Sequence, residues 1–152
     1  SGFNAFALHA RQRLNATLVP TDANGVKALF KNLKQGGFSV ILPDHVPQPS
    51  GGVVVPFFGI PCLTSTLASK MAQKTQCRLV GLSCFRREDG EGFEVYCDDL
   101  NDPELYDRDI EVATTALNKA VEQMINRFPA EYMWGYKRFR GGTNHYKNAN
   151  HS

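Results

Sequence analysis

The sequence has 152 residues, of which 42% are apolar and 21% are charged. This length suits one domain with a full hydrophobic core, and the composition excludes a disordered tail, a coiled coil and a collagen-like repeat. Pro or Gly interrupts every uncharged apolar stretch well before the roughly 20 residues that a transmembrane helix requires. The chain starts with Ser rather than Met, which suggests a processed or engineered start.

The net charge of +2 conceals a division along the chain. Residues 1–87 contain ten bases and two acids, whereas residues 88–152 contain seven bases and thirteen acids. Such charge patterns are typical of solvated surfaces. They also fit a surface with two basic regions that contact phosphates, one within residues 1–87 and one beyond residue 136. Nucleic acid is not predicted as a partner, because no RNP-like, helix-turn-helix or zinc-finger pattern accompanies the charge.

Four cysteines occur, and none of them forms a CxxC pair or has a histidine at ligand spacing. A structural zinc site is therefore not expected, and no metal or other cofactor is predicted. We expect the four thiols to be reduced and buried in a cytoplasmic protein.

In the first third of the chain, apolar periodicity predicts a helix over 3–14, a short strand over 17–19 and a helix over 24–35, for which Thr21 and Asp22 offer N-cap oxygens. The apolar run 38–42 is typical of a parallel strand covered on both faces. Strand, helix and strand with short connections form a βαβ unit.

Further along, the pattern predicts a helix over 63–76, a hairpin over 78–97 with its turn at Asp89 to Gly92, and a long helix over 109–127. The sequence therefore predicts an α/β fold, with a partly parallel mixed sheet flanked by helices. We expect residues 1–147 to form a single domain and residues 148–152 to be a frayed tail.

Asp44 and His45 follow the predicted strand 38–42, at the edge where open α/β sheets bind their ligands. A loop-capping carboxylate is an equally good interpretation of Asp44. An acid–base pair of Asp44 and His45 is disfavoured, because adjacent residues of an extended segment point to opposite faces.

Two adjacent aromatic residues, Phe57 and Phe58, stand between a proline and a glycine. They either fill the core from a loop or line an apolar groove that suits an acyl chain. Arg11 and Arg13 end the first predicted helix and are either solvated or recognise phosphate or a carbonyl oxygen.

Five motifs, taken in chain order, together resemble those of a known protein family. They are Arg11-Gln12-Arg13, the helix that leads to Leu33-Lys34-Gln35-Gly36, Pro43-Asp44-His45, Pro56-Phe57-Phe58-Gly59, and Tyr132-Met133-Trp134 with Lys137-Arg138-Phe139. In this order they resemble the C-terminal half of the bacterial lipid A biosynthesis acyltransferases, the Kdo-dependent lauroyl and myristoyl transferases. The resemblance covers about residues 8–146.

The resemblance implies an enzyme that moves a fatty acyl chain from acyl carrier protein to a Kdo-lipid A precursor, at the cytoplasmic face of the inner membrane. It also implies the C-terminal portion of a glycerol-phosphate-acyltransferase-like fold. The catalytic H-x4-D/E motif of the family is absent from this sequence. We therefore interpret the chain as a soluble C-terminal fragment that is inactive alone.

By the same resemblance, Arg11 would stabilise the thioester oxyanion or bind phosphate, with Arg13 an equal contender. Asp44 would support the absent histidine or orient the acceptor. Phe57 and Phe58 would shape the hydrocarbon groove, and three basic residues would face lipid headgroups or the acidic carrier protein: Lys137, Arg138 and Arg140. The alternative function is a non-catalytic module that binds lipid or the carrier protein. An exposed sheet edge would also allow a homodimer.

Overall fold

The computed structural model describes residues 17, 19 and 22–140, and within them it contains three α-helices and two separate two-stranded antiparallel sheets. The chain divides into two compact units, residues 1–40 and 41–152. The predicted helix over 3–14 lies outside the described residues, and the predicted strand over 17–19 is described only in part. The α/β class is confirmed.

Helix α1, Ala23–Lys34, belongs to the first unit. A carboxylate oxygen of Asp22 accepts hydrogen bonds from the backbone N–H groups of Asn24 and Gly25, each at 2.9 Å. Gly36 follows the helix with a φ of +81°, which a residue with a Cβ rarely adopts. The predicted helix is confirmed, with Asp22, one of the two predicted candidates, as its N-cap.

Residues 38–42 form no strand, so this prediction is wrong. Phe38, Val40 and Leu42 are each more than half exposed, and no described strand pairs with this segment. An apolar run favours a strand only where a neighbouring strand satisfies its backbone N–H and C=O groups. Both described sheets are antiparallel, so the predicted parallel pairing is not found in the described part of the chain.

The second unit begins with a hairpin that the sequence did not predict. Strand β1, Gly52–Phe57, pairs with strand β2, Ile60–Ser65. Phe58 and Gly59 form the turn with φ values of +49° and +73°, as in a type I′ turn. Helix α2, Leu67–Thr75, then starts later than predicted, because the preceding residues belong to β2.

Two prolines face each other in this hairpin without weakening it. Pro56 and Pro61 are the second pair from the turn, and in a two-residue hairpin that pair does not exchange ladder hydrogen bonds. Their missing N–H groups would have pointed away from the partner strand. The outward carbonyl of Pro56 accepts a hydrogen bond from the Asn118 side chain at 2.8 Å.

The second hairpin confirms its prediction. Strand β3, Leu79–Arg86, pairs antiparallel with strand β4, Phe93–Leu100, and the turn contains Gly90 and Gly92, both with positive φ. Helix α3, Ile110–Arg127, confirms the predicted long helix, and Asp109, predicted as its first residue, is its N-cap.

Helix α3 packs against both hairpins and contributes residues to both clusters of the core. Its buried residues are Ala113, Thr114, Ala116, Leu117, Asn118 and Ile125. Ile125 packs with Phe57 and Cys62 in one cluster, and Ala116 and Leu117 pack with Leu105 in another. Among the described residues, none of the helices combines the length and the hydropathy that crossing a bilayer would take.

Candidate functional site

The loop that contains Asp44 and His45 is fastened to the C-terminal segment by two tyrosines. The Tyr132 hydroxyl donates a hydrogen bond to Asp44 Oδ2 at 3.1 Å. The Val46 backbone N–H donates to the Tyr136 hydroxyl oxygen at 3.0 Å, and the His45 ring lies 5.5 Å from the Tyr136 ring. Two of the predicted motifs, far apart in sequence, therefore meet at one place in the second unit.

The environment of Tyr132 keeps its hydroxyl protonated. Burial raises the pKa of Tyr132 well above its ordinary value of 10.0, and the negative charge and the hydrogen bond of Asp44 raise it further. Tyr132 therefore remains a hydrogen-bond donor at pH values at which an ordinary tyrosine begins to ionise. A fixed donor on one oxygen orients the carboxylate of Asp44, which is what a residue that supports a histidine or an acceptor hydroxyl requires.

Phe57 and Phe58 occupy different environments at the turn of the first hairpin. Phe57 is a core residue with 1% exposure, while Phe58 is half-buried and has a left-handed backbone conformation. The backbone N–H of Phe58 donates to a carboxylate oxygen of Glu122 at 2.6 Å. Because a bulky residue is rarely stable at positive φ, this hydrogen bond and the ring contacts of Phe58 compensate for local strain.

The rings around this turn form an aromatic cluster that reaches the surface. Its members in contact are Phe57 with Phe58 at 4.9 Å, Phe58 with Trp134 at 5.8 Å, Tyr132 with Trp134 at 4.9 Å and Phe57 with Phe139 at 6.0 Å. Trp134 remains 54% exposed and its neighbour Met133 is 74% exposed. The cluster thus connects the core, the Asp44 site and an exposed apolar surface. A role of Phe57 and Phe58 in an acyl groove stays a prediction.

Arg138 is buried, whereas the resemblance implied that it faces lipid headgroups or the acidic carrier protein. It is 2% exposed, and its guanidinium donates to the Leu63 carbonyl at 2.7 Å and to Thr64 Oγ1 at 2.8 Å. The guanidinium also lies over the Phe57 ring, 5.1 Å from its centroid. These contacts attach the C-terminal segment to β2, so this placement favours a packing role.

The other basic residues predicted for the site differ in placement. Lys137 and Arg140 are exposed, and the Arg140 guanidinium lies 5.7 Å from the Tyr136 ring. Arg11 and Arg13 lie outside the described residues. The structure therefore joins Asp44, through Tyr132, to the aromatic cluster that contains Phe57 and Phe58.

Several residues of this region were not singled out in the sequence. Tyr132 and Tyr136 stood inside recognised motifs, but nothing in the sequence showed that their hydroxyls bind the loop at 44–46. Glu122 and Asn118 lie on one helix turn of α3 and bind β1 and its turn. The sequence could have indicated them together, because a spacing of four residues places both side chains on one face of the helix.

A cleft of about 760 Å³ lies elsewhere, between the turn of the β3–β4 hairpin and the end of α3. It is lined by charged residues and by Phe85 and Phe128, and by none of the predicted site residues. Its Arg87 pairs with Asp89 at 2.7 Å. Within the described ranges, no group of three or more His, Cys, Asp or Glu residues is arranged to hold a metal ion.

Comparison with known proteins identifies the relatives of this chain. The sequence model of a family described as bacterial lipid A biosynthesis acyltransferase matches residues 2–141. The lipid A biosynthesis lauroyltransferase of Escherichia coli K12 is 31% identical over 131 residues, which are 84% of this chain and 42% of that relative.

Two further relatives agree. The lipid A biosynthesis palmitoleoyltransferase of Escherichia coli K12 is 22% identical over 134 residues, and the lipid A biosynthesis acyltransferase of Haemophilus influenzae Rd is 27% identical over 137 residues. Each match covers 88% of this chain and 43% of the relative. The chain thus spans less than half the length of the curated relatives that it matches.

Proposed function

Because the chain belongs to the bacterial lipid A biosynthesis acyltransferase family, we propose that it is part of an enzyme that transfers a fatty acyl group from acyl carrier protein to a hydroxyl of a Kdo-lipid A precursor. The family match over residues 2–141 carries this proposal. The names of two relatives specify a lauroyl and a palmitoleoyl group, which supports a fatty acyl donor.

The proton-abstracting base of this reaction is proposed to lie outside this chain. In the family signature H-x4-D/E, an acid follows the histidine by five positions, whereas the residues that follow His9, His45 and His145 at this distance are Leu, Ser and Asn. The chain would then be inactive alone. It would contribute groups that bind and orient the reactants, within the C-terminal part of a glycerol-phosphate-acyltransferase-like domain that includes residues 1–147.

Asp44 is the described residue best placed for such a role. Its carboxylate is half-buried and receives a hydrogen bond from a tyrosine hydroxyl that stays protonated. We assign to it the support of the base or the orientation of the acceptor hydroxyl. Arg11, or Arg13 in its place, would stabilise the negative charge that develops on the thioester oxygen.

The exposed apolar residues next to the site support a location at a membrane surface. Met133 and Trp134 protrude from the aromatic cluster, and the exposed Lys137 and Arg140 follow them in the sequence. Such residues suit a membrane–water interface, where rings lie at headgroup depth and bases attract anionic lipid. We propose the cytoplasmic face of the inner membrane as this surface.

The chain matches only part of each relative, so the proposal is tested in a chimera that supplies the rest of the enzyme. In it, this chain replaces the matched region of the Escherichia coli lauroyltransferase, and lauroyl transfer from acyl carrier protein to a Kdo-lipid A precursor is measured. We expect transfer by the chimera, no transfer by the chain alone, and a loss of at least about 100-fold in the Arg11→Ala or the Arg13→Ala variant. A folded chimera without transfer, or with unchanged rates in both variants, would contradict the proposal.

A non-catalytic lipid-binding module is the second candidate, and the exposure of Met133 and Trp134 favours it. Co-sedimentation with anionic phosphatidylglycerol vesicles distinguishes the two functions. Binding that weakens with salt, together with an inactive folded chimera, would support the module. Val54→Ser is the control variant. It removes an exposed apolar residue from the first hairpin and not from the surface of Met133 and Trp134, so it should leave vesicle binding unchanged.

A further inference from the structure

The β3–β4 hairpin has an apolar face without a described occupant. The residues of this face, here called the outer face, alternate along the two strands: Val80, Leu82, Cys84, Phe93, Val95 and Cys97. The four large apolar side chains among them are between 53% and 66% exposed, and both cysteines are exposed. The prediction that all four cysteines are buried is therefore wrong for these two.

The opposite face of the same hairpin is already covered by α3. A Cβ added to Gly81 would meet Met124 Sδ at 2.6 Å, which shows how closely the helix approaches the strand. Arg127 of α3 also binds the Asp98 carboxylate with distances of 2.6 and 3.1 Å. The hairpin is therefore fixed in place, and the outer face is not exposed because of a loose attachment.

Strand β3 is largely apolar on both faces, which is typical of a strand in a sheet that is covered on both sides. Within the described residues, β3 pairs only with β4, so each strand also has an unpaired backbone edge. An isolated pair of strands is marginally stable, and open edges with a contiguous apolar face mark a binding surface.

The open edges favour a polypeptide as the occupant rather than a lipid. Unpaired backbone N–H and C=O groups are costly in hydrocarbon, whereas a neighbouring polypeptide can pair with them. The outer face is also bordered by charged residues, since Arg86 stands opposite Phe93 and Asp99 stands opposite Val80. These charges suit a protein interface with a polar rim.

The relatives contain such a polypeptide. More than half of the length of the lauroyltransferase lies outside the region that this chain matches. We propose that the outer face binds that unmatched part of a lipid A acyltransferase, which covers the six residues and continues the sheet at an edge. This inference rests on the family membership and not on the proposed transfer reaction.

Cys84 and Cys97 report directly on whether the face is covered. In the test, the chain alone and the lauroyltransferase chimera are treated with iodoacetamide under native conditions, and the alkylation rates of the two thiols are measured by mass spectrometry. We expect both thiols to react readily in the chain alone and at least about 10-fold more slowly in the chimera. A Glu91→Cys variant, in the turn beyond the outer face, is expected to react equally in both.

Charged substitutions on the face provide a second readout. The double variant Leu82→Lys with Val95→Lys should leave the chain alone stable, because both side chains are exposed there, and should restore fast alkylation of Cys84 and Cys97 in the chimera. Val54→Lys on β1, which is 50% exposed, is the matched control and should leave the two thiols protected.

The outcomes separate the possible occupants. Protection that rises with the concentration of the chain alone would assign the face to a second copy, and protection by anionic vesicles would assign it to lipid; either result overturns the proposal. Reactive Cys84 and Cys97 in this chimera and in a second one built on the Haemophilus influenzae relative also overturn it. Alkylation needs no acyl donor, so this test can fail while acyl transfer succeeds.

Discussion

Asp44 and Tyr132 are 88 residues apart in sequence, and the Tyr132 hydroxyl donates a hydrogen bond to the Asp44 carboxylate at 3.1 Å. This contact joins the loop after residue 42 to the segment after helix α3. It turns two separate sequence motifs into one site, next to an aromatic cluster that reaches the surface.

The first prediction concerns the stability that this contact contributes. Tyr132→Phe removes the donor from a half-buried carboxylate and should lower the free energy of unfolding by about 1–2 kcal/mol in urea titrations. Tyr96→Phe is the matched control, because the Tyr96 hydroxyl donates to Glu94 at the exposed surface. It should cost less than about 0.5 kcal/mol. Equal losses of unfolding free energy in the two variants would contradict a larger contribution from the Tyr132–Asp44 hydrogen bond.

The second prediction concerns alkaline pH. The pKa of Tyr132 is raised in the folded state, so the folded protein holds this proton more tightly than the unfolded chain. The stabilisation is complete below the ordinary tyrosine pKa of 10.0 and is lost as the pH rises above it. We expect the free energy of unfolding to fall in that range, and to fall less steeply in Tyr132→Phe. The same slope in both proteins would exclude Tyr132 as the cause.

The third prediction separates packing from surface binding among the C-terminal arginines. Arg138→Ala should destabilise the protein by about 2–4 kcal/mol, because it leaves the Leu63 carbonyl without its guanidinium donor and removes a buried side chain from the Phe57 ring. Arg140→Ala, at an exposed position two residues further on, should cost less than about 0.5 kcal/mol. Thermal and urea unfolding measure both.

Vesicle binding then tests the headgroup role of the same two residues. Arg140→Ala should weaken binding to anionic vesicles, as expected for an exposed base. If Arg138→Ala weakens vesicle binding while leaving stability unchanged, Arg138 acts at the surface and its packing role is excluded.

The fourth prediction concerns a close approach at the start of the first hairpin. A Cβ on Gly52 would stand 2.8 Å from the backbone carbonyl oxygen of Thr64 and 2.7 Å from Pro47 Cγ. Gly52→Ala should therefore cost about 1–3 kcal/mol of unfolding free energy. At the neighbouring Gly51 the nearest atom is 3.9 Å away, and Gly51→Ala should be tolerated. Equal stability of the two variants would show that the hairpin relaxes at little cost.

The helices and the second hairpin could be predicted from the sequence because their signals are local. Asp22 and Asp109 cap helices whose apolar residues recur at helical spacing, and Gly90 and Gly92 mark the β3–β4 turn. The first hairpin was missed because its prolines argue against strands, whereas in the structure Pro56 and Pro61 occupy a pair that needs no N–H.

The candidate site was predictable only in part, since its contacts are non-local. Asp44 stood out as a carboxylate in a distinctive motif, but its partner Tyr132 is 88 residues away in the sequence. Arg138 was expected at the surface from its basic neighbours, and its burial depends on carbonyl and hydroxyl acceptors in β2. Charge patterning alone does not reveal a buried acceptor.

Acyl transfer by Asp44 variants of the lauroyltransferase chimera tests the central claim most directly. The account predicts that Asp44→Ala lowers kcat for lauroyl transfer by at least about 100-fold, that Tyr132→Phe lowers it by about 10-fold because the carboxylate is less well oriented, and that Asp89→Ala leaves it unchanged. Unchanged kcat in the folded Asp44→Ala chimera would remove this site from the reaction.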